Sequence, residues 1–339
     1  MLYQGTGSLL SCPNFNCPKR GQSHQVIRFG FYRLKRGRRR RYRCGACGKT
    51  YGRTTHTLYH RLRASQPRID RVAAMSVEGM SRAAIARVEH IDPHTVDRWL
   101  GRATAAAERF NDTMTRNILV QELQADELQT VTSQQAQPTW VFTTLEVWSR
   151  FWVSTVVGAR TAHNTKQLLQ DTVTRGDIAE DCLVTTDGYQ PYTRVIRDLL
   201  GDTCVYAQVV KTLRHNRVVK VVQKLIIGPP ERLRQALFRS EDSTTVNTSF
   251  IERLNLTVRQ CCAYLGRRRL SHARGEEHLT EQLELVRCFY NFIRPHGALK
   301  FGKVIRTPAM QAGLVTRRLR FRDIFRSPAI PVIDVVNNT

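Results

Sequence analysis

From residue 115 to residue 210 the apolar pattern switches repeatedly between the period of a strand and that of a helix, and this order leaves few folds open. NILVQELQADELQTV (117–131) reads as one strand, and PTWVFTTLEVWSRFWVSTVVGA (138–159) as two more joined at Trp148-Ser149-Arg150. A helical stretch follows in TAHNTKQLLQDTVTR (161–175), then a strand in CLVTTD (182–187), a helix in QPYTRVIRDLLG (190–201) and a strand in TCVYAQVV (203–210). Three antiparallel-type segments followed by β-α-β-α-β predict an α/β domain with a mixed sheet. Residues 211–243 read as basic and less regular. A long helix is predicted from about Asn247, with Ile251, Leu254, Val258, Cys261, Cys262 and Leu265 as its apolar stripe and Glu252, Asn255 and Arg259 at another angular position. A second helix, EEHLTEQLELVRCFYNFIR, ends at Pro295.

The N-terminal part is of another kind. Cys12 and Cys17 are separated by four residues and Cys44 and Cys47 by two, with Gly45 and Gly48 supplying the permissive backbone of a tight knuckle. This is the spacing of a zinc ribbon; a redox dithiol is the alternative for the second pair, but it calls for a strand-helix context. Between the pairs, RLKRGRRRRYR (33–43) carries eight basic residues in eleven, including Arg38, Arg39, Arg40 and Arg41. Such a run is either a solvated, self-repelling stretch or a phosphate contact, and phosphate contacts do not by themselves read bases.

Residues 67–106 look helical. Ile85, Val88 and Ile91 mark one stripe and Val96, Trp99 and Leu100 another, while Asp92-Pro93 gives an N-cap and a first-turn proline. Two short helices and a tight turn fit a helix-turn-helix whose recognition helix, 93–104, presents His94, Thr95, Asp97, Arg98 and Arg102; a plain helical hairpin is the alternative.

In this 339-residue chain 53 Lys and Arg stand against 28 Asp and Glu, a net charge of +25. A surplus of that size is the footprint of a polyanion, and double-stranded DNA is the expected partner. No apolar run is long enough for a membrane span, and no signal-like start precedes the first cysteine, so the expectation is a cytoplasmic protein, nucleoid-associated through DNA, without membrane contact. Nine cysteines, an odd number, argue against a secreted disulfide framework.

Three acids lie on apolar elements about sixty residues apart: Asp126, Asp187 and Glu252. Each has a plainer reading. Asp187 precedes Gly188 and suits a turn, Glu252 suits the positive end of its helix, and Asp126 could be an ordinary strand-end acid with Glu127 the ligand instead. Strand alternation puts Asp126 and Glu127 on opposite faces, so that only one of the two is expected to point at a site.

The series QADE, TTDGYQPY, NTSFIERLNLTVRQCCAYLGRRRLSHAR and FYNFIRPHGAL resembles the DDE transposases of bacterial and archaeal insertion sequences, most nearly the insertion-sequence-one type. The resemblance runs to about residue 315. It implies a zinc ribbon with its basic segment at 1–60, an all-α helix-turn-helix at 61–112, a ribonuclease-H-like α/β catalytic domain at 115–300 and a C-terminal tail at 301–339. It makes Asp126, Asp187 and Glu252 the carboxylates of a magnesium or manganese site, with Asn247, Arg259 and His296 in support, and Cys12, Cys17, Cys44 and Cys47 the ligands of a structural zinc. The implied activity is binding of terminal inverted repeats followed by metal-dependent strand cleavage and strand transfer, with at least a homodimer on the DNA. The alternatives are a ribonuclease-H-like nuclease without strand transfer and a DNA-binding regulator derived from an inactive transposase.

Overall fold

The computed structural model describes residues 12–14, 16–19, 26–33, 37–133, 138–215, 217–266 and 271–327. The predicted tail beyond 327 lies outside them.

A small three-stranded sheet comes first: β1 (Val26–Arg33), β2 (Arg38–Cys44) and β3 (Thr50–Tyr51), all antiparallel. The basic run is thus mostly strand. Arg38 and Arg40 lie 4.7 and 4.0 Å from the ring of Phe31, and Arg41 and Arg43 lie 5.1 and 5.5 Å from that of Phe29. Guanidinium–aromatic stacking of this kind lets like charges share one hairpin, and Arg41 also donates to Thr50 Oγ1 at 3.1 Å.

Three helices follow, α1 (Gln66–Val77), α2 (Arg82–Glu89) and α3 (Pro93–Met114). Ser81 accepts from Ala84 N at 3.3 Å to start α2, and Asp92 accepts from His94 N at 2.8 Å to start α3, with Pro93 in the first turn. Helix α3 runs ten residues past the predicted end at 104. Val88, expected on the apolar stripe, is exposed. The buried face of α2 is instead Ile85, Ala86 and Glu89, and the Glu89 carboxylate is neutralised by Arg68 and Arg71 at 2.9 and 2.6 Å.

The main sheet is mixed and six-stranded. Its strands are β4 (Ile118–Thr130), β5 (Thr139–Glu146), β6 (Phe151–Gly158), β7 (Gly176–Thr186), β8 (Cys204–Arg214) and β9 (Arg217–Ile227), in the order β6-β5-β4-β7-β8-β9. Strands β4, β7 and β8 are parallel to one another and the other pairings are antiparallel. Helices α4 (Ala162–Arg175) and α5 (Gln190–Leu200) make the crossovers. The region read as irregular, 211–243, holds the end of β8, all of β9 and α6 (Pro230–Arg239). The run RVVKVVQKLII lacks strict alternation because much of β9 meets solvent on both faces, so the period-2 signal is missing although the β-branched residues are present. Helix α7 (Ser249–Cys261) stops before Cys262 and Leu265, which are buried in the turn that follows, and α8 (Glu276–Cys288) leads into a π-helical turn, Phe289–Ile293.

One apolar cluster joins the helices of residues 66–114 to the sheet. Phe110 of α3 meets Phe292 edge-on at 5.0 Å, Asn111 donates to Glu284 O at 3.0 Å, and Ser76 and Gln282 hydrogen-bond at 3.2 Å. Part of the segment expected to be a tail returns here. A short helix, α9 (Pro308–Gln311), leads to α10 (Phe321–Phe325), where Phe321, Ile324 and Phe325 are buried against this unit and Arg322 pairs with Asp70 at 2.6 Å. No helix among the described residues is long and apolar enough to cross a membrane. Because Phe110 ties the two halves together, Phe110→Ala is expected to lower the unfolding free energy by about 3–5 kcal/mol, read as a lower urea midpoint.

Candidate metal and nucleic-acid site

Asp126 and Asp187 are brought together by sheet register. Ala125 of β4 is level with Thr186 of β7, so the next residue of each chain, Asp126 and Asp187, emerges at the same height on neighbouring parallel strands. Asp187 ends its strand in a turn of its own making, accepting from Tyr189 N at 2.8 Å, and its side chain stays 41% exposed. The turn reading and the site reading of this residue therefore describe one geometry.

Ligand oxygens of Asp126, Glu127 and Asp187 all lie within 4.8 Å of one another. The expectation that only one of the neighbours 126 and 127 reaches the site is corrected here. Their flanking contacts do differ: Asp126 accepts from Asn255 of α7 at 2.8 Å, whereas Glu127 accepts from Tyr192 of α5 at 3.2 Å and from Arg160 Nε at 2.8 Å. At the sheet edge, however, the longer Glu127 side chain still comes within reach of Asp187. Arg160, which follows β6, holds the group together. Its guanidinium is 3.8 Å from Asp187 and packs over Tyr189 at 4.0 Å and Trp140 at 4.7 Å.

The third predicted carboxylate, Glu252, stands apart from this group. It sits in the first turn of α7, ion-paired with Lys211 of β8 and hydrogen-bonded by Thr248 at 2.6 Å. Its charge nonetheless adds to that of Glu127 and Asp187 in raising Asp126. Burial is the first cause, and together they push the Asp126 carboxyl up to about 7. Glu127 is raised too, by burial and by Asp187, against the opposing pull of Arg160.

The supporting residues are occupied elsewhere. Asn247 accepts from Ser249 N at 3.1 Å and donates to Thr245 O at 2.9 Å, which shapes the entry to α7. Arg259 donates to Leu265 O at 3.1 Å, bracing the turn after the same helix. His296 meets Tyr290 edge-on, and its Nδ1 is buried without a hydrogen-bond partner among the described residues. Burial and the charges of Arg150, Arg294 and Arg253 hold its imidazole down to about 4. The sequence reading missed Arg160 and Tyr192 as holders of the acidic group. Arg160 carried no usable signal; Tyr192 lies in the quoted TTDGYQPY but looks like an ordinary helix-core aromatic.

The four cysteines form a second ligand group, all four sulfurs within 4.8 Å of one another. Cys12 and Cys47 sulfurs are 3.6 Å apart and Cys17 and Cys44 3.7 Å apart, far beyond a disulfide bond. A tetrahedral ion with metal–sulfur distances of about 2.3 Å spaces its thiolates roughly 3.8 Å apart, so the set fits one structural metal ion. On the third candidate surface, His94 and Arg98 are exposed and Thr95 half-buried on the first turns of α3, whereas Asp97 is tied to Arg82 at 2.9 Å and Arg102 donates to His60 O at 2.8 Å.

Fold and site thus define an α/β protein with an acidic, metal-competent sheet edge and a four-cysteine group of metal-ligand geometry. No protein-family model matches the chain, and no curated protein is significantly similar to it.

Because folding raises the Asp126 pKa above its ordinary 3.8, the proton is held more tightly in the folded chain. Stability from this group is intact below about pH 4 and is lost as pH rises to about 7. In chelator, Asp126→Asn is therefore expected to be more stable than the unaltered chain at pH 8, by as much as about 4 kcal/mol, seen as a higher midpoint in thermal unfolding scans, with the gain vanishing at pH 4.

Proposed function

We propose that the protein is a DNA transposase of the DDE type, which binds the ends of its own element and cleaves and joins DNA strands at the acidic sheet edge. The observation that carries this reading is the pairing of Asp126 with Asp187 on adjacent parallel strands, with Glu127 in the same group and Glu252 on the neighbouring helix. The strand order, with three antiparallel strands followed by parallel β7 and β8, is compatible with a ribonuclease-H-like sheet. The net charge of +25 supports a nucleic-acid substrate.

The donors are hard carboxylate oxygens, the set that Mg2+ or Mn2+ prefers, and Asp126, Asp187 and one of the two glutamates would hold the ion or ions. Bound divalent cations would activate the attacking oxygen and stabilise the leaving one in an in-line displacement. The chain's own residues do the rest. Arg160 and Tyr192 fix Glu127, Asn255 fixes Asp126, and the turn at Tyr189 fixes Asp187, so the oxygens need little reorganisation. Lys211 keeps Glu252 beside the group but outside it; a phosphate that draws Lys211 away frees Glu252 to join. Hydrolysis first frees a 3'-hydroxyl, and that hydroxyl then attacks a target strand, with no protein–DNA bond formed. A burial-raised Asp126 sets proton against cation, so cation affinity should rise between pH 6 and pH 8. The four thiolates suit zinc, which would rivet the N-terminal hairpin and its arginines, and the first turns of α3 would supply base contacts at the element ends.

Purified protein, Mg2+ and DNA bearing candidate element ends should give cleaved and joined products. Asp126→Asn and Asp187→Asn are expected to abolish both while leaving DNA binding intact, and Asn255→Ala to slow cleavage roughly 10–100-fold. Cleavage that persists in Asp187→Asn would remove that residue from the site. Elemental analysis is expected to find one zinc per chain, lost in Cys44→Ser together with the folding of the N-terminal hairpin.

A further inference from the structure

Strand β8 outruns its neighbour. It pairs with β7 only from Cys204 to Gln208, level with Cys182 to Thr186, but continues to Arg214 paired with β9 alone. Gln208 is level with Thr186, and Thr186 with Ala125, so the unsupported part begins at the height of Asp126 and Asp187. It projects from the same edge of the sheet. Six residues of strand, 209–214, reach about 20 Å. The root of this ribbon crosses the acidic turn closely: a Cβ on Gly188 would lie 3.3 Å from Val210.

The ribbon's composition is one-sided. Between residues 209 and 224 stand Lys211, Arg214, Arg217, Lys220 and Lys224, with no Asp or Glu. Lys220 and Val221, paired in regular register with Thr212 and Lys211 and so pointing to opposite faces, are both exposed, so both faces of the outer part meet solvent. Arg214, Arg217 and Lys220 make no ion pair among the described residues. Three unneutralised cations on a bare two-stranded ribbon beside a cluster of carboxylates complement a polyanion that must be brought to those carboxylates against their repulsion. A two-stranded β-ribbon also has the width that a major groove admits.

We propose that the β8–β9 ribbon is a DNA-gripping arm, its cations on backbone phosphates, that holds the duplex against the acidic edge. The assignment rests on the transposase reading for the use of that edge, but the grip itself is a binding property. Lys211, at the root, pairs with Glu252 of α7, the helix whose Asn255 donates to Asp126. β9 is also the outermost strand of the sheet, and its free edge offers a different occupant, a second copy of this chain.

The test compares the unaltered chain with the triple variant Arg214→Ala, Arg217→Ala, Lys220→Ala, whose positions are exposed and leave the core untouched. Binding of a fluorescent duplex is titrated from 50 to 300 mM salt, cleavage is assayed in parallel, and the sedimentation coefficient of each protein is measured without DNA. The slope of log affinity against log salt is expected to fall by about 2 to 3, because each lost phosphate contact removes nearly one unit. An unchanged slope overturns the proposal, as does an unchanged slope with loss of a dimer, which would make the ribbon an interface between copies. If the unaltered chain binds DNA but never cuts, a reduced slope upholds the arm while the transposase reading fails. If it cuts and the variant binds and cuts equally well, the arm fails and that reading stands.

Discussion

The structure turns on two adjacent carboxylates, Asp126 and Glu127, set near the end of the central strand of a sheet and largely withdrawn from water. Placing like charges there is unfavourable by several kcal/mol unless each finds donors or a counter-charge. The surrounding elements can be read as answers to that requirement. Helix α7 brings Asn255 to one face of β4, and α5 brings Tyr192 and the segment before α4 brings Arg160 to the other. Even so, Asp126 remains pushed up to about 7. The shift alone does not mark a ligand, since burial also pushes the Glu146 carboxyl of β5 up to about 7.

A second pair of buried acids, one on β4 and one on β5, shows the contrast. Glu122 lies near the start of β4 and accepts from Ser240 and Ser243 at 2.7 and 2.6 Å; Glu146, at the end of β5, accepts from Ser149 N at 2.7 Å and Trp148 N at 3.1 Å. Here neutral donors converge on each carboxylate and close the loop Val147–Arg150 onto the sheet. Asp187, by comparison, has one backbone donor and an arginine at 3.8 Å, and its side chain faces solvent. Burial alone does not separate a structural acid from a ligand. The separation comes from whether donors already fill the oxygens' lone pairs.

How much of this was visible in the residues follows from what kind of signal each feature leaves. Strands β4 to β8 and their crossover helices are legible because each buries one or two faces and so imposes a period. β9 escaped because a ribbon open on both faces has no reason to alternate. Asp126 and Asp187 could be picked out as acids at strand ends, and Asn255 as sharing a helix face with Glu252, since both are local properties. Their meeting depends on the Ala125–Thr186 register, which no local pattern states. Arg160 was invisible for the same reason, being defined only by the aromatic rings and acids that tertiary structure gathers around it.

The distance between Glu252 and the acidic group carries the last step. The helix carboxylate Glu252 and Lys211 of β8 form a half-exposed ion pair in which each charge partly satisfies the other. Lys211 belongs at once to that pair and to the root of a cationic ribbon, so phosphate near the ribbon competes for it. Coulomb attraction to a doubly charged cation among three or four carboxylates exceeds that to one exposed ammonium at similar distance. On the proposed transposase reading, substrate and cation together would pull the pair apart from opposite ends, the lysine turning to phosphate and the glutamate to the metal site. Either alone leaves a half-exposed ion pair of modest strength to be broken without replacement. On that proposed reading, the arrangement would make the completed acidic site a property of the DNA-bound protein, which is where a strand-cutting centre is useful and elsewhere a hazard.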